Sequence, residues 1–146
     1  MNKTFILILI LVAGLIGFFI YNKSRPADAD VISKQGLHWH PELSIEIKGQ
    51  KQEIPANLGI GLVHAPIHTH DNSGIIHLEL DGLVKKNDIR LNQFFKIWGR
   101  QFNLNCIFEF CSGPDGAVKM FVNGQENKEF KDYQMRDKDK IEIKYQ

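Results

Sequence analysis

The side chains best suited to metal chemistry in this 146-residue chain are concentrated between His64 and Glu79. Four of the six histidines lie in this stretch. Three of them and one carboxylate form two similarly spaced pairs, His68-x-His70 and His77-x-Glu79. Because copper(II) and zinc accept neutral imidazole and carboxylate as ligands, the stretch is a candidate site for a divalent transition metal.

Residues 71–74 read Asp-Asn-Ser-Gly, which favours a turn between the two pairs. If the chain reverses there through a two- or four-residue loop, His68 pairs with His77. His70 would then pair with Ile75. Alternate residues of a strand face the same side, so the four ligand side chains would leave one face, with opposed Cβ atoms about 5 Å apart. A three-residue loop would shift the pairing by one and place the second pair on the other face. The alternative to a metal site is a polar hairpin face with titrating histidines.

A second His-x-His pair, His38 and His40, lies upstream and is followed by Pro41. In an extended segment both imidazoles share a face while Trp39 points the other way, and the proline favours extended geometry at the residue before it. The pair could therefore supply further ligands to the metal site. The alternative is a strand entry at which the tryptophan packs and the imidazoles are solvated. His64 falls outside the strand alternation and is an additional ligand candidate only.

The chain opens with an apolar segment that predicts a membrane anchor. Residues 5–21 carry no charge and would span about 25 Å as a helix, near the lower limit for crossing a bilayer. An Ala-x-Ala sequence at 27–29 leaves cleavage as a signal peptide as the alternative. Because a lone N-terminal helix usually serves export, we expect a single-pass anchor at 1–22, a linker at 23–36 and an extracytoplasmic soluble domain at 37–146.

Charge and composition exclude several classes of function. Without the three basic residues that flank the apolar segment, fifteen of the eighteen basic residues remain against seventeen acidic ones, so the domain is slightly acidic. It carries no basic stripe with interleaved aromatic rings, and we expect no nucleic-acid partner. No Ser-His-Asp order, phosphate-binding loop or paired-carboxylate motif points to a hydrolase or a nucleotide-binding protein.

The remaining pattern predicts an α+β domain. Apolar and polar residues alternate over 43–47, 75–80 and 141–145, as is typical of half-buried strands. Asn123-Gly124, which follows a strand-like run at 118–122, is a strong hairpin signal.

One helix is predicted from the spacing of large apolar residues. Leu91, Phe94, Phe95 and Trp98 fall on one helical face, and Gly99 is a plausible stop. Residues 85–88 are expected to cap the start of this helix. The resulting fold is a small mixed sheet with one packed helix, after the N-terminal transmembrane helix.

The two cysteines, Cys106 and Cys111, lie five residues apart. In an oxidising compartment an even cysteine count suggests a disulfide. A straight strand would separate their Cα atoms by about 16 Å, so a bond requires a bend between them. Both the bonded and the free state remain open, and a C-x-x-C redox motif is absent.

The closing strands, with Met-Phe-Val-Asn-Gly at 120–124 and Ile-Glu-Ile-Lys-Tyr at 141–145, resemble those of ubiquitin-like β-grasp proteins such as sulfur-carrier proteins. That resemblance implies a β-grasp-like fold. It does not imply carrier function, because the chain closes on Lys144-Tyr145-Gln146 and not on the Gly-Gly that carriers need.

The whole soluble part is similar to a group of uncharacterised exported or anchored proteins of bacteria and archaea. The similarity rests on the segments at 38–43, 54–60, 67–79, 91–99 and 120–124. It implies one intact domain. The His-x-His and Glu spacing also looks superficially like a cupin metal motif, although the intervals differ.

Three functions are compatible with these residues. The first is an exported domain that binds copper(II) or zinc for handling or sensing the metal, with ligands His68, His70, His77 and Glu79 and a further ligand from His38 or His40. The second is a metalloenzyme of the same architecture, in which Glu79 or Asp71 serves as general base. The third is an interaction module on the membrane surface whose histidines respond to pH.

Overall fold

The computed structural model describes residues 10–18 and 29–146 of the chain. They belong to two compact units, one within Met1–Asp30 and the other formed by Val31–Gln146. In the first unit, residues 10–18 are helical and form α1. The second unit contains all of the predicted metal ligands.

The predicted anchor at 1–22 is described only in part. Its residues 1–9 and 19–22, and the linker residues 23–28, lie outside the described residues. No helix within the described ranges is both long enough and apolar enough to cross a membrane. The anchor therefore stays a prediction from the sequence.

The second unit is built from short strands, one α-helix and one 3-10 turn, which confirms the α+β class. Its elements in chain order are β1 (Val31–Ser33), β2 (Leu37–Trp39), β3 (Glu42–Ile47), β4 (Gln50–Gln52), β5 (Ile67–His68), β6 (His77–Leu80), β7 (Val84–Lys85), α2 (Leu91–Trp98), β8 (Cys106–Ile107), β9 (Phe110–Cys111), β10 (Val118–Val122), β11 (Gln125–Glu126), the 3-10 turn Phe130–Asp132 and β12 (Lys140–Tyr145). These strands form four separate sheets, whereas the sequence predicted a single one.

The largest sheet has five strands in the order β11-β10-β12-β3-β4. At its centre β12 and β3 run parallel, and each has an antiparallel strand on its other side. Every second residue of these two strands is buried, and the buried residues lie next to each other across the pair, with Ile141 beside Leu43 and Ile143 beside Ile45. Met120 of β10 continues this row. The aligned side chains form one face of the core.

Helix α2 forms where the spacing of apolar residues predicted it. Leu91, Phe94 and Phe95 are buried in the same core cluster as the five-stranded sheet. Gly99 ends the helix in the left-handed conformation, with φ of 69°, and its amide donates to the Lys96 carbonyl. A residue with a side chain is disfavoured at this angle, which explains the glycine stop.

The predicted cap at residues 85–88 was wrong. Arg90 occupies the N-cap position and makes no side-chain capping hydrogen bond. The Asp88 carboxylate instead accepts a hydrogen bond of 2.8 Å from the Lys85 backbone amide, which closes the preceding turn.

The two cysteines form a disulfide. Cys106 on β8 lies directly opposite Cys111 on β9, with their Cα atoms 4.1 Å apart. The required bend lies at Phe108 and Glu109, where Phe108 adopts a positive φ of 54°. The bond therefore closes a tight hairpin, and the open question from the sequence is settled in favour of the bonded state.

A buried carboxylate ties the end of the chain to the start of β3. Asp139 accepts hydrogen bonds from the Tyr133 hydroxyl at 2.6 Å, the Arg136 amide at 2.8 Å and the Asn123 side chain at 2.9 Å. Its backbone carbonyl accepts from the Glu42 amide at 2.8 Å. Burial and the bond to Asp139 raise the pKa of Tyr133 well above its ordinary value.

We expect Tyr133→Phe to lower the free energy of unfolding by about 1–3 kcal/mol, because a buried carboxylate would lose one of its donors. Urea denaturation measures this change. Tyr145→Phe is the matched control, since Tyr145 is equally a buried ring but its hydroxyl makes no hydrogen bond within residues 31–146. Equal destabilisation by the two variants would contradict the role given to the Tyr133 hydroxyl.

Candidate metal centre

The predicted ligands lie on a three-stranded sheet with the order β2-β6-β5. In the central strand, β6, His77 pairs with His68 of β5, and Glu79 pairs with His38 of β2. Leu78, between them, is fully buried and faces the core. Strand alternation therefore places the imidazoles and the carboxylate of these paired residues together on the opposite face.

A loop folds over one edge of this face and buries His68. The segment between β4 and β5 returns on itself, with the Ala65 amide bonded to the Gly59 carbonyl at 2.8 Å. Gly59 has a φ of 74° and lies so close that a Cβ on it would be 3.2 Å from the Cβ of His68. As a result His68 is only 1% exposed, although it lies on the polar face of the sheet.

The loop also fixes the tautomer of His68. Its Nδ1 lies 3.1 Å from the Ala65 carbonyl oxygen. Because a carbonyl can only accept, Nδ1 must carry the proton and Nε2 presents its lone pair. A hydrogen bond from the second ring nitrogen is the usual way in which proteins orient a metal-binding histidine.

The unprotonated nitrogen of His68, Nε2, faces a ring nitrogen of His70. The two Nε2 atoms are 3.2 Å apart. Two nitrogens at this distance share either a proton or a cation. Ligands about 2.0–2.1 Å from a tetrahedral zinc ion lie about 3.3 Å from each other, so the spacing already suits a common ion.

His77 lies between the other imidazoles. Its ring centroid is 5.4 Å from that of His68, 4.5 Å from that of His70 and 4.8 Å from that of His40. Its Nδ1 is buried and has no hydrogen-bond partner among the residues that the structure describes. Leaving a buried polar atom unpaired costs about 1–3 kcal/mol, a cost that an ion bound at this atom would remove.

The ligand atoms form two groups that share His77. The inner group contains His68, His70, His77 and Glu79, and the outer group contains His38, His40 and His77. Within each group, one ligand atom per residue lies within 4.8 Å of every other. Glu79 also contacts the outer group, with its Oε1 3.1 Å from His38 Nε2.

Neighbouring segments hold the outer histidines and the turn. The His40 amide donates to the Asp137 carboxylate at 2.9 Å. Between the paired residues His68 and His77 and the turn, the two strands of the hairpin separate. There Ile75 forms an antiparallel bridge with Glu42. The predicted pairing of His70 with Ile75 was therefore wrong, because the chain at 74–76 pairs with the start of β3.

The turn itself follows from its residue types. The Asp71 carboxylate accepts the Ser73 amide at 2.9 Å, and hydrogen bonds from Ser73 lower the pKa of Asp71. Gly74 has a φ of 95°, and a Cβ there would lie 2.3 Å from the Leu43 carbonyl oxygen. Only glycine permits this close approach, which orients the strand that carries His77.

All six predicted ligands therefore lie in one or both groups, whereas His64 belongs to neither. Its ring lies 5.9 Å from that of His68, at the edge of a cavity of about 350 Å³. The cavity is lined by His64, Ala65, Pro66, His68, Glu79 and Asp81. Sequence reasoning missed the Ala65 carbonyl and Asp137, since a backbone acceptor and a distant carboxylate leave no local pattern.

The position of His77 predicts how stability depends on pH. Burial lowers the pKa of His77 below 6.5, and the rings of His70, His40 and His68 lower it further. The unfolded chain therefore binds a proton at higher pH than the folded domain does. The stability that the neutral His77 side chain contributes should be fully present above about pH 6.5. It should be lost as the pH falls through the lower pKa of His77 in the folded domain.

We expect the urea midpoint of the metal-free domain to fall between about pH 7.5 and about pH 5, and to fall less in His77→Gln. Met120→Ala is the control, because it destabilises the domain through the apolar core without changing a titratable group. If His77→Gln keeps the full wild-type dependence, another group must cause it.

Comparison with known proteins returns no relative for this chain. No protein-family model, no curated protein and no solved structure matches it. What the site can do therefore follows from its own donors and their geometry.

Proposed function

We propose that the domain binds a divalent transition metal, copper(II) or zinc, as cargo in metal handling or sensing. The ligands are the inner group, His68, His70, His77 and Glu79. The observation that carries this proposal is the 3.2 Å approach of the His68 and His70 Nε2 atoms, one of which has its lone pair fixed by the Ala65 carbonyl. The unpaired Nδ1 of His77 supports it.

The available donors favour a divalent ion over copper(I). Copper(I) prefers thiolate and thioether sulfur. Both cysteines are used in the disulfide, and Met120 and Met135 are fully buried in the core. Imidazole and carboxylate are then the ligands on this face, and they suit copper(II) and zinc.

Exposure of part of the inner group supports a role in holding exchangeable metal. His70 and Glu79 are exposed, whereas His68 is buried. A permanently structural ion is usually enclosed by its ligands, but here a solvent-facing side remains through which the ion can leave. A handling or sensing role requires such exchange.

An extracytoplasmic location is part of the proposal. The Cys106–Cys111 disulfide supports it, because such bonds persist in oxidising compartments. The uncharged residues 5–21 support tethering to the membrane by a single N-terminal helix.

We further propose that the core of the domain is β-grasp-like. The arrangement that supports this is a parallel central pair, β3 and β12, with an antiparallel strand on each outer side. Helix α2 lies between the hairpins β3-β4 and β10-β11 in the sequence. Strands β5 and β6 of the three-stranded sheet would then be an insertion between the first hairpin and the helix, and β2 an addition before β3.

A metalloenzyme is the second candidate, and one observation favours it. The cavity of about 350 Å³ is lined by His68 and Glu79 of the inner group and by Asp81. A substrate in this cavity would reach an open coordination position of an ion held by the inner group. Turnover of candidate substrates by the metal-loaded protein distinguishes this function from binding alone.

Changing His68 and His77 together to alanine should abolish stoichiometric binding of copper(II) and zinc, because it removes two of the three inner imidazoles. Metal content of protein purified without a polyhistidine tag, measured after equilibration with each ion, tests this. His64→Ala is the matched control, since it removes a nearby exposed histidine that belongs to neither group. A folded double variant that still binds metal as the wild type does would refute the centre.

Thr69 provides a test of how the inner group is positioned. It is fully buried between His68 and His70, and its hydroxyl donates to the Pro55 carbonyl at 2.8 Å and accepts from the Leu58 amide at 3.1 Å. Both bonds fasten the loop that covers His68.

We expect Thr69→Val to cost about 1–3 kcal/mol of stability and to weaken metal binding by about ten-fold. Isothermal titration with zinc measures the affinity, and urea denaturation measures the stability. Thr69→Ser is the control, because it keeps the hydroxyl and loses only the methyl group. Unchanged zinc affinity in the valine variant would show that the loop does not orient His68.

A further inference from the structure

His77 belongs to both ligand groups, and this sharing limits what the face can hold at once. A neutral imidazole offers one lone pair, while its other nitrogen carries a proton. Its coordination to an ion in the inner group therefore removes it from the outer group. The two groups are alternative positions for an ion and not two independent sites.

Electrostatic repulsion strengthens this conclusion. Two divalent ions about 4 Å apart repel each other by about 4 kcal/mol even with the dielectric constant of water. Glu79 is the only carboxylate in the two groups. Together with Asp137, whose Oδ1 lies 3.7 Å from His40 Nδ1, it supplies two negative charges against the four positive charges of two ions, so simultaneous occupancy is disfavoured.

His68 is the most deeply buried of the ligands, whereas His70 and Glu79 of the inner group are exposed. The side chain of His38 is 61% exposed and that of His40 is 40% exposed, whereas His68 is 1% exposed. An ion arriving from solution can therefore bind His38 and His40 before it reaches the buried nitrogen of His68. His68, with its fixed lone pair, lies deepest.

The donors of the two groups are close enough for stepwise exchange of ligands. Glu79 Oε1 of the inner group is 3.1 Å from His38 Nε2 of the outer group. The His77 ring lies 4.8 Å from His40 on one side and 4.5 Å from His70 on the other. An ion can thus gain an inner ligand before it has lost every outer one.

We propose that His38 and His40 form an entry position for the metal, from which the ion passes through His77 to the inner group. This inference rests on the proposed function of the inner group as a metal site. It adds a kinetic role for residues that would otherwise count as extra ligands: they speed the arrival and departure of the ion without setting the final affinity.

The test is the rate at which zinc is transferred between a chromophoric chelator and the full chain, followed by stopped-flow absorbance. In the double variant His38→Ala with His40→Ala, uptake should be slower by about ten-fold, and release should slow by the same factor. The equilibrium affinity and the single bound equivalent should be unchanged. His64→Ala, an exposed histidine beside the same face, should show wild-type rates.

Three results would overturn the proposal. The first is a second equivalent of zinc in the wild type that disappears in the double variant, which would show two ions held together. The second is a large loss of affinity with unchanged stoichiometry, which would make His38 and His40 resident ligands. The third is wild-type transfer rates in the double variant. Failure of the wild type to bind either zinc or copper(II) would instead refute the proposed function itself.

Discussion

The alignment of β6 with its two neighbours is the constraint on which the candidate metal centre depends. Because side chains alternate along a strand, a shift of a single residue would turn His77 and Glu79 into the core and Leu78 out to solvent. The buried position of Leu78 opposes that shift, since a fully buried leucine contributes about 1.5–3 kcal/mol relative to an exposed one. Apolar packing on one face therefore fixes the arrangement of donors on the other.

The loop that covers His68 changes the chemical character of this arrangement. On an open sheet the imidazoles would be separate, hydrated side chains. Covering one of them removes water from its surroundings and supplies a carbonyl acceptor in its place. The result is that access of water differs over a few ångströms, from a hydrated side chain at His38 to a buried, oriented ring nitrogen at His68.

Much of the arrangement of the candidate ligands could be predicted from the sequence, because it depends on residues that lie close together in the chain. The spacing of His68 and His70, and of His77 and Glu79, together with the turn between them, determines the face on which they lie. The helix at Leu91 was predictable for the same reason. The division into separate sheets was not, because the pairing of Ile75 with Glu42 depends on contacts between distant segments. The shared use of His77 was also hidden, since it requires the position of β2 beside β6.

The parallel pair at the centre of the large sheet has a consequence for the order of events in synthesis. Lys140 to Tyr145 pair with Glu42 to Ile47, so the core closes only after the ribosome has made residues 140–145. Asp137, in the segment leading into β12, also anchors His40. A growing polypeptide therefore lacks both the parallel pair and the Asp137 contact to His40 until translation has passed this point.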